Sequence, residues 1–264
     1  MIKNLIREVV EPIGEAARRL LTSPATLLLA GLLYGLMVGA IFLFLTTRES
    51  SPVQVFLGLV VYPLIAVFLF FLGQSFGLTA TRIGVGVGYK IKRAIIDCSK
   101  VILISIPLLL IMIGVFDGLE NIEFMVAGRI EEAAEERVKF WSGLLVGLWW
   151  LKAGLFAIFF PLWAIHWWMV AVREGALVAI RSTGRVLRRA LSPGSILVYL
   201  LTTGIFGGLA LLVFRLHPRI EREWIELYFF GGRMIVGLGA IFLGWLLTLA
   251  SLAEWTNRRQ ISEN

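Results

Sequence analysis

The sequence has 264 residues, of which 58% are hydrophobic and 16% charged, with a formal net charge of +7 and a mean hydropathy of +0.86. Soluble domains carry about 25% charged residues, so this composition excludes an ordinary water-soluble globule. The only cysteine is Cys98, which excludes an intrachain disulfide and a thiol-ligated metal centre within one chain.

Taken in order, six stretches lack Asp, Glu, Lys and Arg: 20–47, 50–81, 101–116, 153–172, 190–214 and 234–253. A helix needs about 20 apolar residues to cross a hydrocarbon core ~30 Å thick. The third stretch has 16 residues and must borrow Gly118 and Leu119 or sit in locally thinned lipid. Six spans are predicted, near 25–46, 54–78, 101–119, 150–171, 194–214 and 234–254. The first is read as a retained span, because its apolar stretch exceeds the 7–15 residues of a signal-peptide core.

Between spans, the charges sort by side. Segments 1–24, 78–100, 171–193 and 254–264 hold 16 Lys/Arg against 7 Asp/Glu, whereas 47–54, 117–140 and 215–233 hold 8 against 11. The positive-inside rule puts the first set, and with it both termini, in the cytoplasm of a bacterial-type plasma (inner) membrane. Attraction to anionic headgroups explains the basic balance without nucleic acid.

Each cytoplasmic segment reads as an amphipathic interfacial helix. In the first, Ile2, Leu5, Ile6, Val9, Ile13, Ala16 and Leu20 share a face, with a kink expected at Pro12. In the second, Val87, Ile91, Ala94 and Cys98 oppose Lys90, Arg93, Asp97 and Lys100. In the third, Leu177, Ile180, Gly184, Leu187 and Leu191 oppose Arg181, Arg185 and Arg188. Basic pairs Arg18-Arg19, Lys92-Arg93 and Arg188-Arg189 lead into the spans that follow. The expected fold is an all-α integral membrane protein forming one polytopic domain over 1–264. A threefold repeat of interfacial helix and helical hairpin (units 1–82, 83–172, 173–264) and plain hairpins with positive-inside loops both fit this order.

The stretch ALVAIRSTGRVLRRALSPGSILVYLL, residues 176–201, resembles bacterial six-span membrane proteins of unassigned function, including the membrane domain fused to some glycerophosphodiester phosphodiesterases. The resemblance implies the layout of basic amphipathic helix followed by span. The phosphodiesterase domain with its metal ligands has no counterpart in these residues, so no activity is implied.

Several residues invite a functional reading. In the fourth span, Trp149-Trp150 and Trp167-Trp168 lie 18 residues apart, ~27 Å along a helix, so both pairs are expected as aromatic belts. Lys152 would then snorkel to the outer belt. His166, at the inner belt, is the one candidate cofactor ligand, for instance in a pigment or haem carrier. Gly31, Gly35 and Gly39, then Gly73 and Gly77, then Gly143 and Gly147 recur four residues apart, the spacing that lets helix backbones approach; they serve packing within the chain or a seam to another membrane subunit. Gly84, Gly86 and Gly88 read as a joint before the second amphipathic helix, not as a dinucleotide fingerprint. Asp117, Glu120, Glu123, Glu131, Glu132, Glu135 and Glu136 fill an acidic outer loop over 117–140; its run GRIEEAAEERVKF holds strong helix formers and reads first as a solvated helix face, whose like-charge pairs a divalent cation or a basic partner could relieve. Candidates for lipid or partner binding are Arg181, Arg185, Arg188, Arg189, Lys90, Lys92 and Arg93.

The chain has two histidines, His166 and His217, on opposite sides by this topology, and no His-Glu-x-x-His, phosphate-loop or Gly-x-Ser-x-Gly motif. No catalytic residue, metal or cofactor is predicted; bound phospholipid is the expected ligand. The expected role is a non-catalytic scaffold, accessory subunit or lipid-organising protein, with a transport component such as the membrane subunit of an ATP-driven exporter as the alternative.

Overall fold

Serine followed by proline starts three of the membrane-crossing segments. A serine can cap orphan N–H groups, and proline at the first helical position loses no hydrogen bond there. Ser23-Pro24 opens α2 (Pro24–Thr46), Ser51-Pro52 opens α3 (Pro52–Phe56), and Ser192-Pro193 opens α10 (Pro193–Arg215). At Ser51 the hydroxyl accepts a hydrogen bond from the Gln54 backbone N–H. The computed structural model describes residues 2–48, 50–80, 86–132, 134–216 and 223–263. The other helices are α1 (Ile2–Leu21), α4 (Tyr62–Ala80), α5 (Val87–Glu132), α6 (Glu135–Gly154), α7 (Phe160–Glu174), α8 (Ala176–Arg181), α9 (Thr183–Ala190) and α11 (Glu223–Glu263).

Six helical segments are long and apolar enough to cross a membrane, and the described residues include no strand. The chain is an all-α, multi-pass membrane protein. In the most apolar window of Pro52–Ala80 only 6% of the residues are buried, so that surface faces lipid; in water it would far exceed the apolar patch a soluble protein exposes.

Two spans are interrupted in the same way. A π turn over Leu57–Val61 joins α3 to α4, with the Tyr62 N–H bonded to the Leu57 carbonyl. A second, Leu155–Phe159, joins α6 to α7, with the Phe160 N–H bonded to the Leu155 carbonyl. Each ends two residues before a proline, Pro63 or Pro161. A proline inside a helix lacks a donor and crowds the carbonyl four residues back. The wider turn makes room, so the helix continues.

The chain divides into two compact units, 1–101 with 193–264, and 102–192. In the first, α1 lies against the ends of α2, α10 and α11, while α4 packs on α2 and α11. Its core is Ala16, Leu20, Ala30, Phe76, Ala80, Ala94, Leu246 and Ala250; five alanines among these eight let helix axes approach. The apolar face of α1 therefore packs on protein, through Val9, Ala16 and Leu20, rather than on lipid. Glycine does the same for α10 and α11: a Cβ at Gly244 would stand 2.5 Å from the Phe206 Cβ, and one at Gly194 would stand 2.9 Å from the Trp255 indole nitrogen.

In the second unit α5 runs antiparallel to α6 and α7. Ser105 meets Trp168, Phe116 meets Phe156, and Glu123 meets Lys152, stepping up one helix and down the other. Residues 117–140, the acidic outer segment read as a solvated helix face, form the tip of this helical hairpin: α5 continues to Glu132 and α6 starts at Glu135. The like-charge pairs Glu131/Glu135 and Glu132/Glu136 straddle the break between α5 and α6, so neither pair falls within one helix.

Candidate functional site

The basic end of the first unit is built around α1 and α11. Arg258 reaches three carboxylates, with its Nη1 2.7 Å from Glu11 Oε2, its Nη2 on Glu15, and its Nε 3.8 Å from Glu254 Oε1. Arg19 pairs with Glu254 and, at 3.6 Å, with Glu15. Two cations and three carboxylates thus clamp the first helix to the last. Glu254 is the member withdrawn from solvent, its side chain 8% exposed against 31% for Arg19.

At the same end, Lys90 is buried. Its Nζ donates to the Ala80 carbonyl at 2.7 Å and to Thr26 Oγ1 at 3.3 Å, placing a cation on the carbonyl end of α4, where the helix dipole is negative. Asp97, fully buried, accepts Lys100 at 2.6 Å and faces Arg93 at 2.8 Å. Of the second basic face only Lys92 is exposed and outside these pairs. The polar stripe of that helix, expected to face water, therefore packs inward, because acceptors at the end of α4 and an internal carboxylate replace hydration.

The third basic face differs. Gly175, at φ 102°, a left-handed value that glycine tolerates best, turns the chain from α7 into α8. The Trp167 indole N–H then donates to the Ala179 carbonyl at 2.8 Å. Ala179, Val186 and Ala190 are buried against the protein, while Arg181, Arg185 and Arg188 are exposed and Arg189 is half-buried. Leu177, 72% exposed, stands with Ile180 and Leu191 as bare apolar side chains beside those cations. This is the arrangement a helix pair needs in order to lie in a headgroup layer.

The fourth span sorts its tryptophans. Trp149 and Trp150 are exposed, as headgroup anchors would be. Trp167 and Trp168 are buried, the second donating to Ser105 Oγ at 2.8 Å, so their N–H groups serve the fold rather than an inner belt. Lys152 is 3.0 Å from Glu123 Oε2 and lies over the Phe116 ring at 4.3 Å. It has a protein counter-ion instead of snorkelling alone. His166 is buried in α7, and no group of three or more His, Cys, Asp or Glu able to hold a metal occurs among the described residues. His217 and Gly84 lie outside the described residues.

The glycine motifs divide as well. Gly77 sits against Leu249, a Cβ there coming within 2.6 Å of its Cδ1, and Gly31 faces Phe242 at 3.9 Å. A Cβ at Gly35, Gly39, Gly73, Gly143 or Gly147 would meet nothing within 4 Å among the described residues. The close approaches at Gly194 and Gly244 carry no four-residue spacing, and only the bulk of Trp255 and Phe206 opposite marks them. No protein-family model matches the chain, and neither a curated protein nor a solved structure is detectably similar to it.

Proposed function

We propose that the protein is a non-catalytic scaffold or accessory subunit of a bacterial-type inner membrane, with both termini cytoplasmic, and that it organises anionic lipid along its cytoplasmic basic face. The observation that carries this reading is the outward surface of α8 and α9, where Arg181, Arg185 and Arg188 stand exposed beside Leu177, Ile180 and Leu191. The apolar side chains enter the acyl boundary and the guanidinium groups meet phosphates, at about 1 kcal/mol for each cation near an anionic surface. Lys92, exposed in the first unit, is a further cation for headgroups. Lys90 and Arg93 are committed to protein acceptors and take no direct part.

Lipid analysis of the full chain purified in mild detergent tests the reading. Anionic phospholipid should be enriched over the bulk membrane, and the triple variant Arg181→Gln/Arg185→Gln/Arg188→Gln should reduce that enrichment by about fivefold or more. An unchanged lipid profile in the triple variant would refute the assignment.

A further inference from the structure

A cavity of about 310 Å³ opens between α2, α4 and α11 in the first unit. Its wall is apolar apart from Tyr34, Gln74 and Trp245, and no charged residue lines it. The three polar groups decide what it can hold. Trp245 donates its indole N–H to Gln74 Oε1 at 2.7 Å. An indole nitrogen only donates, so this bond fixes the amide with its NH2 left over. Gln74 is buried, and among the described residues neither its amide nitrogen nor the Tyr34 hydroxyl has a hydrogen-bond partner. Both line the cavity.

Depth narrows the class further. Gln74 lies six residues before the end of α4 at Ala80, ~9 Å along the helix. Trp245 lies nine residues before Glu254, ~14 Å along α11. Both lie within charge-free stretches, 50–81 and 234–253, where little water is at hand to satisfy the amide and a charged headgroup is costly. Aromatic rings frame the space: Tyr34 and Phe242 pack at 5.2 Å between centroids, with Phe70, Phe76 and Trp245 also in the wall.

From this geometry we infer that the cavity binds an uncharged, ring-headed lipid bearing a carbonyl oxygen, the chemistry of an isoprenoid quinone. The carbonyl accepts from the Gln74 amide, the Tyr34 hydroxyl bonds a second oxygen of the ring, and the aromatic walls flank it. The prenyl chain leaves through the open side into the bilayer.

The full chain in nanodiscs, titrated with menaquinone-4 and read by native mass spectrometry, tests this. Wild type should retain one quinone. Gln74→Leu and Tyr34→Phe should each weaken retention about fivefold, the usual effect of one lost hydrogen bond. Gly73→Phe should abolish it by filling the cavity, since Gly73 lines the cavity and a Cβ there meets nothing within 4 Å. Failure of the wild type to bind, equal retention in Gly73→Phe, or equal displacement by dioleoylglycerol or phosphatidylglycerol would each overturn the inference.

Discussion

Arg19 and Glu254, 235 residues apart in sequence, form an ion pair that ties the end of α1 to α11. Glu254 is nearly buried while Arg19 keeps about a third of its side chain exposed. Losing the guanidinium therefore leaves a carboxylate with less hydration than it would have in water. Arg19→Leu should lower stability by about 1–3 kcal/mol, below the 3–5 kcal/mol typical of fully buried pairs, because Arg258 remains beside Glu254. Thermal unfolding of the detergent-solubilised chain measures this. Arg19→Leu/Glu254→Leu should cost less than the two single changes added together, and simple additivity would mean that the pair itself contributes little.

Glycines of similar appearance should respond in opposite directions. Alanine at Gly244 brings its Cβ to 2.5 Å from the Cβ of Phe206, an atom that cannot swing aside. Overpacking of this kind costs about 1–3 kcal/mol. Alanine at Gly35 meets nothing within 4 Å and should stabilise α2 by up to about 0.5–1 kcal/mol through helix propensity. The two midpoints, measured side by side, should fall on opposite sides of wild type. A loss at Gly35→Ala would instead point to a helix from another subunit on that face.

In the second unit, Lys152 and Glu123 neutralise each other at 3.0 Å. Glu123→Leu should leave Lys152 with only the Phe116 ring and lower the unfolding midpoint. Lys152→Met/Glu123→Met should recover most of it, because an apolar pair of similar volume often replaces a buried ion pair without loss. Recovery absent from the double variant would show a further role for the lysine.

The indole of Trp168 donates to Ser105 across α5 and α7. Ser105→Ala should cost about 1–3 kcal/mol, the penalty for a buried donor left unmet. Trp168→Phe with Ser105→Ala should cost less than the two single changes added together. Simple additivity in that double-mutant cycle would rule out the bond as a stabilising contact.

The spans were legible because freedom from charge over a membrane's thickness is a property of adjacent residues. The clamp of Arg19, Arg258, Glu11, Glu15 and Glu254 was not, since it joins the two ends of the chain and nothing near Glu254 in sequence announces a partner. Trp167 and Trp168 fit a belt by spacing alone; the turn at Gly175 brings α8 onto Trp167, and Trp168 packs on Ser105 of α5. Lys90 stood on the polar side of its helix by periodicity, yet the carbonyl end of α4 draws it inside. The Gln74–Trp245 bond joins helices 171 residues apart, and a single glutamine in an apolar span was its only signal.

Orientation is the claim on which the lipid-organising role depends, and single cysteines test it directly. Cys98 is buried, so Cys98→Ala provides a quiet background. Arg185→Cys in α9 and Glu131→Cys at the tip of the α5–α6 hairpin are both exposed positions. With a membrane-impermeant maleimide on intact cells, the hairpin cysteine should label at once and the α9 cysteine only after the membrane is opened. Labelling of position 185 in intact cells, with position 131 protected, would invert the topology and remove the cytoplasmic basic face.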